Sequence, residues 1–175
     1  DGEVNLVRYT LVDLLLGNEK DDGHSLYYYK SFKPALRQQI ANYLNKNGKL
    51  FVSGSYLASD MQSYEERVWI QNNLKIAYDG SNVDNYNSFV SGMGMSFDVF
   101  RTINEQHYGA YSPDNIVPVN NAFSVLNYAD GHSAAVAYKG LDNCVFTMSF
   151  PFECIKDVAA RNSIIKGIIT YMTNK

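Results

Sequence analysis

A serine lifted by a tight turn at the end of a buried strand is a common way to present a nucleophile. Residues 49–60, KLFVSGSYLASD, have that form: an apolar run, then Ser53-Gly54-Ser55. A serine hydroxyl is a weak nucleophile unless a neighbour takes its proton. Three residues stand as candidate bases for Ser55: Glu153, Glu19 and His132. Glu153, in SFPFE, could serve if burial raised its pKa. His132, in ADGHSAAVAY, has a side chain that titrates near neutrality, but it follows a hairpin turn and is expected to face solvent.

The same region offers a binding chemistry. Asn18, Glu19 and Lys20 follow one apolar run, Ser53 and Ser55 follow a second, and Glu153 follows a third, with Asp60 a few residues beyond Ser55. Acids and hydroxyls with aromatics nearby suit a polar, neutral ligand such as a sugar. They can equally form a closed hydrogen-bond network that holds loops together. No Cys/His cluster has metal-ligand spacing, and His24, His107 and His132 are far apart, which argues against zinc. No cofactor is expected. Cys144 and Cys154 are read as small buried hydrophobes, and their spacing fits no disulfide framework, although a bond between them is open.

The elements that would position these groups can be read from periodicity. TLVDLLLG (10–17) is a continuous apolar run closed by glycine, as in a strand buried on both faces. NEKDDGHSLYYYKS reads as a loop. Pro34 starts a helix whose Leu36, Ile40, Tyr43 and Leu44 share one face, and Asn47-Gly48 stops it. KLFVSG is a second buried strand, so LVDLLLG and KLFVSG should pair in parallel across the 34–47 helix. Ser63 and Glu66 form a capping-box pattern for a helix over 64–76, with Val68, Trp69 and Ile76 inward. Residues 78–97, rich in Asn, Asp, Ser and Gly, read as loops with short strands. After Pro118, breaks at Asp130-Gly131 and at 140–143 predict strands near 123–128, 133–138 and 144–150. Asp157 caps a last helix with Ile164, Ile165, Ile168, Ile169 and Met172 on one side.

The 175 residues fit one domain spanning 1–175. The net charge is −3, with 15 basic and 18 acidic residues and no basic stripe, which excludes nucleic acid as a partner. No apolar run approaches the roughly 20 residues of a membrane span. The 14 tyrosines suit strand packing better than they define a binding surface.

Three stretches carry a family resemblance: VDLLLGNEK, FKPALRQQIANYLNKNGKLFVSGSYLASD and FPFECIKDVAARNSIIKGIITYM. They bracket most of the chain, and residues 80–120 match least. The chain resembles the glutamine-amidotransferase-like, flavodoxin-like domain near the C-terminus of Bacteroidetes proteins labelled xanthan lyases or golvesin-C-like proteins. The resemblance implies a three-layer α/β fold, a mostly parallel sheet with a late antiparallel hairpin. Residues 1–9 are too few for the strand and helix that usually open such a domain. The chain is therefore expected to lack them and to be the C-terminal part of a longer one.

In the resembling amidotransferases a cysteine stands at the elbow and a His-Pro-Glu motif ends a later strand. Ser55 falls in the cysteine's place, Pro151 in the histidine's, and Glu153 matches the glutamate. Tyr56 and Leu57 replace the small residues that usually follow. Proline cannot carry a proton, so the resemblance implies a non-catalytic support or glycan-binding module. That module would belong to an exported protein acting on polysaccharide or cell wall, in the periplasm, at the cell surface or secreted. Its partners would be neighbouring domains of the same polypeptide and polysaccharide. The alternative is a hydrolase or a xanthan-lyase-like polysaccharide lyase using Ser55 with a nearby carboxylate or His132. Glu153, close to Lys20, is expected to stay ionised with an ordinary pKa and to accept hydrogen bonds from N–H groups of the Ser53–Ser55 turn.

Overall fold

The computed structural model describes residues 4–21, 23–24, 26–27, 29–83, 89–100 and 108–174. Asp1 and His107 lie outside the described residues. The first elements follow the sequence pattern. Strand β1 (Val12–Gly17), helix α1 (Pro34–Asn45) and strand β2 (Lys49–Gly54) come in that order. β1 and β2 pair in parallel, with Val12 opposite Leu50 and Leu15 opposite Ser53. Pro34 opens α1, whose Ile40, Tyr43 and Leu44 are buried. Asn47, rather than glycine, takes the left-handed conformation beyond it, at φ 67°. Gly48 is needed for space, because a Cβ there would lie 2.5 Å from the Tyr43 ring.

Helix α2 (Tyr64–Asn73) starts on the expected capping box: the Ser63 hydroxyl accepts from the Glu66 N–H, and the Glu66 carboxylate accepts from the Ser63 N–H. The helix stops before Ile76, which is itself fully buried; within the helix Glu66 and Ile70 are buried, while Val68 and Trp69 are half-buried, Trp69 against the core. Seven further strands follow: β3 (Ile76–Asn82), β4 (Phe89–Gly92), β5 (Met95–Asp98), β6 (Asp114–Pro118), β7 (Phe123–Tyr128), β8 (Ser133–Lys139) and β9 (Cys144–Met148). Helix α3 (Val158–Thr173) closes the chain, its first N–H groups accepted by the Asp157 carboxylate. Ile164, Ile168 and Met172 face inward as expected, but Ile169 is 45% exposed, one position off the buried stripe.

The strands form one sheet in the order β1-β2-β9-β8-β7-β4-β5, with β6 pairing β3 and β8. Only the β1–β2 and β2–β9 ladders are parallel among the described residues. The ladders β3–β6, β4–β5, β4–β7, β6–β8, β7–β8 and β8–β9 are antiparallel. This corrects the expected fold class. The protein is a mixed, strongly curled, strand-rich sheet with few helices, not a mostly parallel three-layer flavodoxin-like domain. The physical reason lies in the middle of the chain. Stretches such as IAYDGSN and MSFD show solvent one or more of their residues, so they lack the apolar runs that mark buried strands. They nonetheless add antiparallel strands that outweigh the parallel start. The expected extra strand and helix rested on a doubly wound pattern that the sheet does not follow.

Alternate residues of the central strands enter two cores. Leu50, Val52, Val136 and Val145 pack with Ile40, Leu44 and Ile70 of α1 and α2. Phe51, Ala135, Ala137 and Phe146 pack with Ile164, Ile168 and Met172 of α3. Burial on both faces is why β2 and β9 read as continuous apolar runs. Each fully buried large side chain contributes about 1.5–3 kcal/mol. Among the described residues no helix is long and apolar enough to cross a membrane.

Candidate functional site

The end of β1 and the short turn after β9 bring Asn18 and Glu153 to one segment, residues 108–109, while the end of β2 joins them through Ser55, bonded to Asn18, and Ser53, bonded to Phe152. Ser55 is wholly buried. Its N–H donates to the Gly17 carbonyl (2.8 Å), and its carbonyl accepts from the Asp114 N–H (2.8 Å). Its hydroxyl donates to Asn18 Oδ1 at 2.6 Å. Asn18 in turn donates through Nδ2 to the Gly109 carbonyl at 2.8 Å. An amide oxygen accepts a hydrogen bond but does not take a proton at neutral pH, so Asn18 orients Ser55 without activating it.

Glu153 departs from expectation. Its Oε1 accepts from the Tyr108 hydroxyl, and its buried Oε2 has no hydrogen-bond partner. Burial raises its pKa above the ordinary 4.5. It does not accept from the Ser55 N–H, which the Gly17 carbonyl already holds. Ser53 Oγ accepts from the Phe152 N–H at 3.3 Å, another link that ties the β2 end to the turn after β9. Lys20 places its ammonium over the Tyr56 ring, 4.4 Å from the centroid. Glu153→Gln is therefore expected to raise stability at neutral pH by about 1 kcal/mol, because it removes a partly buried charge. The sign follows from the raised pKa: the native protein holds the Glu153 proton more tightly than the unfolded chain does. The variant's advantage should shrink as pH falls through that raised value towards 4.5. Thermal melts of both proteins across that range test this, and a variant less stable at neutral pH would sink it.

The remaining candidates have other work. Asp60 accepts from the N–H groups of Asp21 (3.1 Å) and Ser31 (2.7 Å), pinning the loop after β1. Glu19 pairs with Lys33 at 3.8 Å. His132 is exposed and pairs through Nδ1 with Asp79 Oδ2 of β3 at 2.8 Å, so its partner is Asp79 rather than Ser55. Pro151 precedes the short 3-10 turn Phe152–Cys154. Cys144 and Cys154 are free, buried thiols, pushed by burial up to about 11 and about 12. Among the described residues no group of His, Cys, Asp and Glu could hold a metal ion.

Sequence reasoning missed Asp114, at the start of β6. It is fully buried. Its Oδ2 accepts from the N–H groups of Ala58 (2.7 Å) and Ser59 (2.8 Å), and its Oδ1 accepts from Asn82 Nδ2 (2.9 Å). Beyond this anchored turn lies a cleft of about 320 Å³ bordered by Lys20, Tyr56, Asp60 and Asn82. A second, of about 360 Å³, lies between α2 and β3. The two share Ser59 and Gln62.

The fold and these clefts define a mixed-sheet domain with a polar groove beside its strand ends. Comparison by sequence finds neither a matching family nor a matching curated protein. Comparison by structure finds three instructive neighbours. The β-galactosidase of the psychrophilic Marinomonas ef1 matches at TM-score 0.53 and 13% identity, over 95% of this chain and 21% of that one. The β-galactosidase of the Antarctic haloarchaeon Halorubrum lacusprofundi matches at 0.58 and 12%, over 99% and 23%. The cytoplasmic protein STM1381 of Salmonella typhimurium LT2 matches at 0.60 and 13%, over 96% and 74%. The chain thus spans about a fifth of the length of the two β-galactosidases it matches. At these identities the likeness is one of fold. It overturns the glutamine-amidotransferase-like, flavodoxin-like reading and, with it, the Bacteroidetes xanthan-lyase label: the likeness runs to β-galactosidase domains and STM1381.

Proposed function

We propose that this chain is a non-catalytic module that supports neighbouring domains or binds glycan within a larger polypeptide acting on polysaccharide. One observation carries the reading. Ser55, the residue best placed by sequence to be a nucleophile, is wholly buried and donates its hydroxyl proton to the Asn18 amide oxygen. A general base must reach the proton it abstracts, directly or through one water. Here that position holds an amide. The occurrence of this fold as about a fifth of two β-galactosidases supports reading the chain as one module among several.

The test is treatment with a serine-directed phosphonate followed by intact-mass measurement. No covalent adduct is expected. Stoichiometric labelling that disappears in Ser55→Ala would overturn the reading.

A further inference from the structure

The sequence places the ligand surface at the strand ends, but residues 108–109 cover that position through Asn18 and Glu153. The open surface lies where the two clefts meet, at Ser59 and Gln62. On the reading just given, we propose that this groove, between the 58–62 loop, α2 and β3, binds a neutral oligosaccharide.

Three features of the groove select that chemistry. The first is its lining. Ala77 and the Tyr78 ring, both half-buried, give it an apolar element that can meet the C–H face of a sugar ring. Gln62 and Gln71 supply amides, which donate and accept at once and so match hydroxyls, which do the same. Each cleft falls in the size range of small-ligand sites, roughly 300–1,000 Å³.

The second is charge. Lys20, Arg67, Asp21, Asp60 and Asp79 all line the joined clefts, with Asp60 buried under two backbone N–H groups and Asp79 paired with His132. Cations and carboxylates nearly cancel, with a slight acidic excess. A lining of that balance gives an anionic chain no net attraction, whereas single charges still form strong hydrogen bonds to neutral hydroxyls. This disfavours a uronate-bearing polymer.

The third is unused capacity on a fixed frame. Among the described residues Arg67 has no ion pair and the Gln62 side chain has no hydrogen bond. The frame beneath them is rigid. Asp114 clamps the Ala58 and Ser59 N–H groups, and Asp60 clamps those of Asp21 and Ser31. Asn82 is fixed at three points: Nδ2 donates to the Ser112 carbonyl and to Asp114, and Oδ1 accepts from the Tyr78 hydroxyl at 2.5 Å. Burying a carboxylate to hold a surface turn is unfavourable by itself, because burial raises the Asp114 pKa. A preformed groove for a weakly held polyol is what such rigidity serves, since it lowers the ordering entropy lost on binding.

The experiment titrates the intact chain by calorimetry with cellohexaose, xylohexaose, maltohexaose and β-1,4-galactotetraose, and with hexagalacturonate as the charged control. At least one neutral probe should bind with a Kd below about 5 mM. The double variant Gln62→Ala/Arg67→Ala, both at exposed positions, should weaken it by about tenfold or more with its melting temperature unchanged. Three results would each overturn the proposal: no neutral probe binding, hexagalacturonate binding tighter than every neutral probe, or binding indifferent to the double substitution. None of these touches Ser55. Phosphonate labelling of Ser55 would sink the non-catalytic reading and leave the groove untouched.

Discussion

Asp114→Ala is expected to lower folding stability by about 3–5 kcal/mol, the scale seen when one partner of a buried charged network is removed. The carboxylate accepts from the N–H groups of Ala58 and Ser59, from the Ser59 hydroxyl and from the Asn82 amide. Alanine leaves these donors without that acceptor, the Ala58 N–H in the buried interior and the others beside the cleft, and each stranded buried donor costs about 1–3 kcal/mol. Asp114→Asn should recover little and still cost about 2 kcal/mol. An amide has one acceptor oxygen, so its NH2 group must face either the two backbone donors or Asn82 Nδ2. Asn82 cannot turn over to accommodate it without losing the Tyr78 hydroxyl bond to its Oδ1. The pH dependence runs the other way. Burial raises the Asp114 pKa, and the hydrogen bonds from Ser59, Ala58 and Asn82 only partly oppose that. Its protonation therefore favours the native state below the ordinary 3.8, and that advantage is lost as pH rises through the raised value. Urea unfolding of native protein, Asp114→Ala and Asp114→Asn near neutral pH measures the ranking. An Asp114→Asn protein as stable as the native one would show that the clamp is not what holds the turn.

Glu66→Ala is expected to cost about 3–4 kcal/mol by a related route. Glu66 Oε2 accepts from Lys30 Nζ at 2.8 Å and from the N–H groups of Gln62 and Ser63, both at 3.1 Å. Arg37 approaches Oε1 at 3.6 Å. Lys30 is only 8% exposed, so removing Glu66 takes a carboxylate from beside its buried ammonium and from beside Arg37. The helix also loses half of its capping box, worth about 1 kcal/mol. Glu66→Gln keeps an acceptor for the backbone and should fall between the two. Burial pushes the Glu66 carboxyl up, but the Lys30 hydrogen bond, the Ser63 N–H and the charges of Lys30 and Arg37 outweigh it and hold the pKa below 4.5. A lowered pKa means stability that is present above 4.5 and lost as pH falls through the lowered value. The gap between native protein and Glu66→Gln should therefore narrow in acid. Melts at neutral pH and near pH 3 test it, and an unchanged gap would separate the effect from ionisation.

Local chemistry made β1, α1, β2 and the β7–β9 hairpins legible. Pro34, Asn47-Gly48 and Asp130-Gly131 punctuate the apolar runs; β2, β8 and β9 are buried on both faces, whereas β1, expected to be so too, stands at the end of the strand order with Leu15 50% exposed. The middle strands were hidden because β3 exposes Asp79, Gly80 and Ser81, which read as loop residues. Sheet architecture was misjudged for a different reason. Two parallel strands were legible, and the rest of the sheet was extrapolated from them. Strand order depends on pairings such as Ile76 with Pro118, which no local signal encodes. The site divided in the same way. Ser55 at a turn and Asn18 at a strand end were readable as members of one cluster. Asp114 was not, since Ser-Pro-Asp-Asn looks like any turn until Ala58 and Ser59 are brought to it.

The position of β9 between β2 and β8 has a consequence for synthesis on the ribosome. β2 has β1 on one edge as soon as residues 12–54 have emerged, but its other edge belongs to Cys144–Met148. At roughly 5–20 residues per second, the nascent chain carries that unpaired edge for about 5–20 s. Leu50, Phe51 and Val52 lie along it, and each ends fully buried. An apolar strand with a free edge is a template for pairing with another chain. Chains released by premature termination anywhere before Cys144 would keep that edge for good, so aggregation should track truncation products far more than the finished protein.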